Sequence, residues 1–395
     1  MHLHGLRCEL IYFSVVLLLV DSRLKNTKHL GSSMNWTPLT RFWNLLKVYR
    51  IELRQIYVYA IFAGLVNLSL PVGIQAIINF LQSGELTSTW ILLVVIVLIG
   101  IALAGILQVF QLRVVENIQQ DLFARSAFEF SFRLPKISFV QLDKVHAPEL
   151  VNRFFDTLSV QKGLPKILID FPLAAFQIIF GLLVLTFYSP IFIFLGVGLA
   201  LLVFLLIRLT GPKGLETSLG ESKQKYRLAH WLEEVARVNR SLKVNGDPNF
   251  HMDKTDDIVV DYLKERRGHF SVLINQFIIF VGFKVILAAG LLLLGGLLVF
   301  REEMNIGQFV AAEILIILIL NSIEKIIRTI DTIYDVLTSL EKIGVVTDLK
   351  LDNGIGKKLI HEPGGFHVRA SEIEFGFPDE KKKIIEIYCC EINKR

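Results

Sequence analysis

Residues 171–207 read FPLAAFQIIFGLLVLTFYSPIFIFLGVGLALLVFLLI and contain no Asp, Glu, Lys or Arg. A membrane-spanning helix needs about 20 apolar residues, so this run allows two crossings if the chain turns at 188–190. Four further runs are uncharged or carry one charge: 56–81, 90–112, 271–300 and 307–323. Because a span in the bilayer must satisfy its own backbone hydrogen bonds, we predict six transmembrane helices.

The composition supports a membrane protein. Hydrophobic residues make up 53% of the chain and charged residues 20%, and a soluble domain carries about 25% charged residues. The net charge of +5 is explained by a basic face against anionic lipid, without a nucleic-acid partner. The spacing of Cys8, Cys389 and Cys390 indicates neither a disulfide framework nor a metal site.

The segments between spans are very unequal in length. The turns at 82–89, 188–190 and 301–306 are short, whereas the segments 113–170 and 208–270 are long. The two long segments carry eight and twelve Lys or Arg, and the three short turns carry one. The positive-inside rule therefore predicts that both termini and both long loops are cytoplasmic. We expect a multi-pass protein of the plasma, or inner, membrane.

Both long loops show helical patterns. In the first, two helical stretches are separated near Pro135 and Pro148, and in the second the turn signal 245–248 separates them. Each loop is thus expected to form two arms of about 25 residues, which reach roughly 35–40 Å from the membrane. Levers that carry motion into the spans fit this shape, and independent helical hairpins with a scaffold role are the alternative.

The two ends of the chain differ from the centre. Residues 1–33 contain an apolar run too short to span, and we expect them to be an upstream extension before an amphipathic interfacial helix at 34–55. After the last span, apolar residues at helical spacing continue to Leu340, which predicts one helix of roughly 60 Å. Beyond it, 366–375 and 384–392 have the patterns of two strands.

Three stretches of the sequence are similar to stretches found in a known family of membrane proteins. Residues 291–312 contain LLLLGGLLVF followed by a short turn and MNIGQFVAA. Residues 134–140 (LPKISFV) precede 146–153 (HAPELVNR), and 373–380 read IEFGFPDE. Together with the span pattern, these resemble the transmembrane half of a type I ABC exporter of the peptide, bacteriocin or type I secretion kind. The resemblance covers about 34–394.

The resemblance implies a domain plan and an all-α membrane fold. A six-helix transmembrane domain would occupy 56–348, and a linker would occupy 349–365. Residues 366–395 would begin a nucleotide-binding domain, in which Phe377 takes the adenine-stacking position. ATP and Mg²⁺ would be held by a nucleotide-binding domain, yet the sequence has no Gly-x-x-x-x-Gly-Lys-Ser/Thr phosphate loop. We therefore expect that this chain does not hydrolyse ATP alone and carries no catalytic or metal-binding residues.

The resemblance also implies contacts with ATP-binding domains. Short coupling helices would lie at the tips of the two long loops, one engaging a domain of the same chain and one a partner's. The candidate coupling residues are Phe139, Val140, Asp143, Asp247, Pro248 and Phe250. Ordinary surface residues at a loop tip are the alternative interpretation.

Two charged residues lie inside the predicted spans. Lys284 and Glu313 are costly in hydrocarbon, which makes both candidates for a translocation pathway. Counted from the outer ends at Phe300 and Ile306, Lys284 lies roughly 24 Å deep and Glu313 roughly 10 Å, so we expect no direct bridge between them. A snorkelling lysine and a glutamate near the outer interface are the alternative.

The sequence therefore predicts a six-span exporter-type membrane domain that works as a homodimer or as half of a heterodimer. In this family such domains alternate between inward- and outward-facing states under the control of ATP-binding domains. The expected cargo is a peptide, protein or amphipathic molecule. A non-transporting remnant or membrane scaffold is one alternative, and an ion-coupled carrier is another, although a carrier would need more than two buried ionisable residues and would not need arms of this length.

Overall fold

The computed structural model describes residues 37–82, 88–142, 147–244, 249–352, 368–375 and 385–392. The predicted extension 1–33, most of the linker 349–365 and the loop that contains Phe377 lie outside these ranges.

The described residues form an all-α unit followed by a pair of strands. The helices are α1 Pro38–Val48, α2 Arg50–Asn67, α3 Ser69–Gln82, α4 Ser88–Arg133, α5 Phe139–Leu142, α6 Ala147–Asn152, α7 Asp156–Pro165, α8 Phe171–Tyr188, α9 Phe192–Arg237, α10 Asn239–Val244, α11 Phe250–Phe300 and α12 Ile306–Thr347. The strands are β1 Val368–Phe375 and β2 Ile385–Ile392. Short 3₁₀ turns at Leu134–Lys136 and Arg153–Phe155 and a π-helical turn at Lys166–Asp170 join some of the helices.

Five helical segments in the described part of the chain are long and apolar enough to cross a membrane. They are Arg50–Gln82, Thr89–Lys136, Pro148–Tyr188, Phe250–Phe300 and Ile306–Thr347. The second half of the predicted double crossing begins helix α9, whose first part, 192–207, is uncharged. The chain is therefore an integral membrane protein, and the sixth span, expected at the start of α9, stays a prediction.

Most of these helices do not stop where the apolar run stops. Helices α4 and α9 have 46 residues each and α11 has 51, which corresponds to about 70–75 Å, more than twice the hydrocarbon core. The parts beyond the uncharged runs, within 113–170, 208–270 and 324–347, are called the arms below. Span and arm are thus one continuous helix in each of these three, and in α9 the helix continues through Pro212.

The first span is bent near its middle. Pro71 lies near the start of α3 and lacks an N–H, so it cannot bond to the carbonyl of Asn67, at which α2 ends. The N–H of Leu68 instead bonds to the Leu65 carbonyl at 3.1 Å. This missing bond accounts for the break between α2 and α3.

Helix α12 is the central helix of the described structure. It contributes to all three apolar clusters, which follow one another from the outer turn to the end of the arm. The clusters contain, in that order, Ile319 with Phe280, Val336 with Leu164, and Val346 with Ile137. The first lies within the spans, where packing rather than water exclusion holds helices together. The second and third lie in the arms, where the hydrophobic effect adds about 25 cal/mol for each Å² buried.

The short turn before α12 is fixed by a capping box. The Asn305 side chain accepts a hydrogen bond from the backbone N–H of Gln308 at 2.7 Å, and the Gln308 side chain accepts one from the Asn305 N–H at 3.0 Å. These bonds satisfy donors that a helix start leaves open. They account for the sharp return between α11 and α12, at the place where the sequence predicts a turn.

Strands β1 and β2 pair antiparallel. Val368 lies opposite Ile392, and Ala370 opposite Cys390, with a register shift between Ala370 and Ile373. The predicted strand pair is confirmed, with small differences at the ends of the strands.

Gly163 permits the close approach of α7 to α12. A Cβ at this position would overlap the side chain of Val336 and press on Thr332. Both neighbours are β-branched and cannot easily change rotamer. We predict that Gly163→Ala lowers the stability of the purified protein by about 1–3 kcal/mol, measured as a lower thermal unfolding midpoint in detergent.

Gly268→Ala is the matched control, because a Cβ at this helical glycine meets nothing within 4 Å. Alanine stabilises a helix interior relative to glycine by about 0.5–1 kcal/mol, so the midpoint of this variant should stay level or rise. An unfolding midpoint of Gly163→Ala equal to that of the parent would contradict the packing argument.

Candidate coupling and translocation sites

The tip of the first long loop presents an exposed aromatic ring. Helix α4 ends at Arg133, and Pro135 within the following 3₁₀ turn redirects the chain. The short helix α5 then carries Phe139, whose exposed fraction is 82%. Val140 follows in the same helix, and Asp143 lies outside the described residues. Phe139 is therefore accessible to a partner at this tip.

The same tip is bonded to the segment that follows α12. The Ser138 N–H donates to the Lys350 carbonyl at 3.0 Å, and the Asp352 N–H donates to the Lys136 carbonyl at 2.7 Å. The Gln141 side chain accepts from the Lys350 N–H at 2.6 Å. We call residues 136–141 and 350–352 the linker clamp. It joins the first loop tip to the start of the predicted linker.

Helix α1, at the N-terminal end of the described chain, contacts the end of α12 next to the linker clamp. Arg41 on α1 forms an ion pair with Glu341 at 3.2 Å and hydrogen bonds to both carboxylate oxygens of Asp348. Its two partners lie in and just after the last turns of α12. The amphipathic helix predicted before the first span is thus attached to the end of α12. Its position in the membrane interface stays a prediction.

The second loop tip also carries exposed apolar side chains. Val244 ends α10 with 87% of its side chain exposed, and Phe250 begins α11 with 50% exposed. The Phe250 ring touches Trp231 edge to face, with 6.4 Å between the ring centroids. Asp247 and Pro248 lie outside the described residues. Each of the two loop tips therefore carries an exposed phenylalanine.

Polar bonds join the two arms of the second loop. Trp231 donates to Thr255 Oγ1 at 2.9 Å, and Arg227 pairs with Asp261 at 2.7 Å. Arg266 reaches both oxygens of Glu221 at 3.0 and 3.1 Å. Exposed pairs of this kind contribute about 0.2–1 kcal/mol each. These bonds join α9 to α11 along the second loop.

A buried bond joins the arms of the two loops. Tyr226 on α9 donates to Asp156 on α7, and Lys225 lies 3.6 Å from the same carboxylate. Burial, together with this hydrogen bond, raises the pKa of the Tyr226 phenol far above its ordinary value. The phenol therefore remains a donor at physiological pH.

Lys284, within the spans, has a partner that the sequence did not suggest. Its Nζ lies 3.7 Å from Glu324 Oε2, and Glu324 also pairs with Arg328 at 2.8 Å. Counted along the helices, Glu324 lies roughly 27 Å below Ile306, close to the depth of Lys284, roughly 24 Å below Phe300. The similar depths of Lys284 and Glu324 could have indicated this pair from the sequence. Glu324 lies just beyond the run 307–323, however, and was not among the predicted residues.

Glu313 is half-buried on α12, about two turns from the start of this helix at Ile306. No ion pair to it is formed within the ranges that the structure describes. The expected absence of a bridge to Lys284 agrees with the pairing of that lysine with Glu324. A role in the pathway stays a prediction for both residues.

Neutral polar side chains link the spans to one another. Ser322 donates to Gln177 at 2.9 Å, and Gln111 donates to the Ile56 carbonyl at 3.1 Å. Interhelical bonds of this kind contribute about 0.6 kcal/mol on average in membrane proteins. Sequence reasoning passed over them because a single glutamine or serine in an apolar run carries no distinctive pattern.

The comparisons with known proteins agree with this architecture. The family model for the ABC transporter transmembrane region matches residues 55–323, about two thirds of the chain. This range runs from the first span to the end of the last uncharged run and includes both long loops. No curated protein matches the chain significantly. The chain belongs to the ABC transporter transmembrane family.

Proposed function

We propose that this chain is the membrane-spanning part of an ATP-driven exporter. It moves a peptide, protein or amphipathic molecule out of the cytoplasm by alternating access. The observation that carries the proposal is the linker clamp, which joins the first loop tip to the segment between α12 and the strand pair. A force applied at either side of the clamp reaches the other without an intervening flexible segment.

Continuous helices support transmission of that force into the membrane. Helix α12 runs without a break from the outer turn at Ile306 to Thr347, next to the clamp. Helix α11 likewise runs from the second loop tip to the outer turn at 301–306, and α9 runs from the turn at 188–190 to Arg237, from which the short helix α10 leads to the tip. A displacement at a loop tip therefore moves the corresponding span as a rigid lever, as exporters of this architecture require.

The proposed partners follow from the exposed tips. ATP-binding domains receive Phe139 at the first tip and Phe250 at the second, and Val140, Asp143, Asp247 and Pro248 are the other candidate contacts. These domains supply the ATP and Mg²⁺ sites, and Phe377 stacks on adenine if the strand pair begins such a domain. A second transmembrane domain, identical or related, completes the pathway.

The spans leave apolar surface for lipid and for this second domain. Only 6% of the apolar window of the Thr89–Lys136 segment is buried within the chain, against 50% for Ile306–Thr347. Lys284 and Glu313 are proposed to face the pathway between the two halves. The pairing of Lys284 with Glu324 offsets part of the cost of placing a charge at this depth, as is usual for ionisable residues within spans.

We predict that Phe139→Ala lowers ATP-driven transport by about tenfold or more, since aromatic anchors dominate protein interfaces. Transport is measured as uptake of labelled peptide and of an amphipathic dye into inside-out vesicles, with the chain and its ATP-binding domains present. Phe250→Ala should act in the same direction, with unfolding recorded in parallel because it also loses its contact with Trp231.

Phe128→Ala provides the matched control. Phe128 is another phenylalanine of the first long loop, 51% exposed on α4 and away from the tip. Its replacement should leave transport unchanged. Uptake that follows an ion gradient and ignores ATP and vanadate would contradict the proposal and favour an ion-coupled carrier.

The proposed orientation gives a separate prediction. Cys8, Cys389 and Cys390 are first replaced by serine, and one cysteine is then introduced as Glu303→Cys in an outer turn or Val244→Cys at the second loop tip. Both positions are exposed. A membrane-impermeant maleimide should label the first variant in intact cells and the second only after permeabilisation. The opposite labelling pattern would invert the topology and remove the cytoplasmic placement of the arms.

A further inference from the structure

A buried histidine lies where the arms meet the spans. His269 is on α11, two residues before the apolar run 271–300, and only 1% of its side chain is exposed. Helix α9 contacts it through Thr217, and helix α12 contacts it through Asp331. The Tyr334 ring of α12 also meets it edge to face, with 6.1 Å between the ring centroids. The coupling tips and the proposed pathway make no use of this residue.

The hydrogen bonds of Thr217 place a proton on one ring nitrogen. Its hydroxyl lies within hydrogen-bond distance of two backbone carbonyls, that of Lys213 at 2.9 Å and that of Gly214 at 3.0 Å. It also lies 2.9 Å from His269 Nδ1. Because a carbonyl only accepts, the single hydroxyl hydrogen of Thr217 points to the carbonyls, and the hydroxyl oxygen accepts from Nδ1–H.

The second ring nitrogen faces a carboxylate. His269 Nε2 is buried, has no hydrogen-bond partner among the described residues, and lies 3.5 Å from Asp331 Oδ1. Without a proton Nε2 is an acceptor, and a carboxylate oxygen is an acceptor too, so the two atoms repel one another. With a proton Nε2 becomes a donor, and the imidazolium forms an ion pair with Asp331. The contact between these two side chains therefore depends on a single proton.

Helix α12 presents an acidic side to the histidine. Asp331 and Asp335 lie one turn apart on this helix, and Tyr334 lies between them in the chain. Burial raises the pKa of the Asp335 carboxyl, and the negative charge of Asp331 raises it further. Burial also raises the pKa of the Tyr334 phenol, which therefore stays neutral. The charge that faces Nε2 most directly is that of Asp331.

The neighbouring charges on α9 and α11 are paired with each other. Arg266, one turn before His269 on α11, bonds to Glu221 of α9 at 3.0 Å, so these two charges offset one another. Asp331 connects the buried nitrogen with water, because 48% of its side chain is exposed. A proton from water therefore reaches Nε2 by way of the Asp331 carboxyl, and it leaves by the same route.

We propose that His269 and Asp331 form a proton-binding site that controls the contact between α11 and α12. With a proton on Nε2, the imidazolium and Asp331 hold the two arms together at the base of the spans. Without that proton an acceptor faces a carboxylate, and the contact loosens. Imidazole groups gain and lose this proton between about pH 5 and 8, so the contact responds to the pH of the water around the arms.

The position of the site gives this contact a consequence. Helix α11 begins at the second loop tip, and α12 ends beside the linker clamp. Loosening the contact between them uncouples the arm of the second loop from the helix that leads to the clamp. The inference concerns this chain alone, and it does not depend on the proposed transport.

The test uses the purified full chain in detergent without ATP, so its failure leaves the transport proposal untouched. Asp331→Asn replaces a carboxylate oxygen by an amide that can donate to the unprotonated Nε2. At about pH 8 the thermal unfolding midpoint of this variant should exceed that of the parent by roughly 2–4 °C. At about pH 6 the order should reverse, because the variant lacks the ion pair. A difference of the same sign and size at both pH values would overturn the proposal.

Two histidine variants show whether His269 causes the reversal. In a chain with His269→Gln, adding Asp331→Asn should change the midpoint equally at both pH values, because the proton site is gone. His251→Gln is the matched control, since His251 is another partly buried histidine of α11, near the loop tip, and the reversal should persist in this variant. A reversal that survives His269→Gln would assign the proton to another group and refute the proposal.

The movement of the arms is measured separately. Cys8, Cys389 and Cys390 are replaced by serine, and spin labels are attached to Val260→Cys on α11 and Val345→Cys on α12, both exposed positions. Raising the pH from about 6 to 8 should add longer distances between the labels. The same rise should leave the distances unchanged in Asp331→Asn, in which the contact no longer needs the proton. Distances in the parent that are identical at both pH values would contradict control of this contact by a proton.

Discussion

A backbone inside a bilayer has no solvent to bond with, and this constraint determines the rest of the structure. Each span must be a helix that satisfies its own N–H and C=O groups. Such a helix can continue past its apolar run, because its backbone hydrogen bonds do not depend on whether the side chains that follow are apolar, and α9 continues even through Pro212. Helices α4, α9 and α11 therefore extend far past their apolar runs. At the membrane boundary the side chains change from apolar to charged, whereas the backbone continues as the same helix.

Because span and arm belong to one helix, two different kinds of interaction stabilise the same helices. Within the spans, helix α12 is held by close packing around Ile319 and by scattered polar bonds such as Ser322–Gln177. In the arms the same helix buries Val336 and Val346 away from water. A change in how the arms associate exposes or buries apolar surface in water, and this has a large free-energy cost or gain. Spans that face lipid can shift with a smaller change in free energy. The arms are therefore suited to start a conformational change, and the spans are suited to respond to it.

The sequence predicts the class of fold, the five apolar helical segments found in the described residues and the long arms, because charge and the length of apolar runs directly reflect the membrane. It also predicts the turn at 301–306, which the capping box of Asn305 explains. It does not predict the linker clamp, because bonds between residues so far apart in the chain leave no mark on composition. Tyr226–Asp156 and Lys284–Glu324 were missed for a related reason, since each partner alone resembles an ordinary charged or aromatic residue of an arm.

Polar groups in the arms fall into two sets, and the division is informative. Arg41, Arg227 and Arg266 each bond to a carboxylate on another helix and thereby fix how the arms lie together. Lys162, Lys166 and Ser222 have no such partner in the described residues, although Ser222 is buried. Structural stability alone does not favour a buried hydroxyl without a partner. Because the pairs of the first set join separate helices, a change in how the arms pack must break or exchange these pairs, and this limits how readily the levers move.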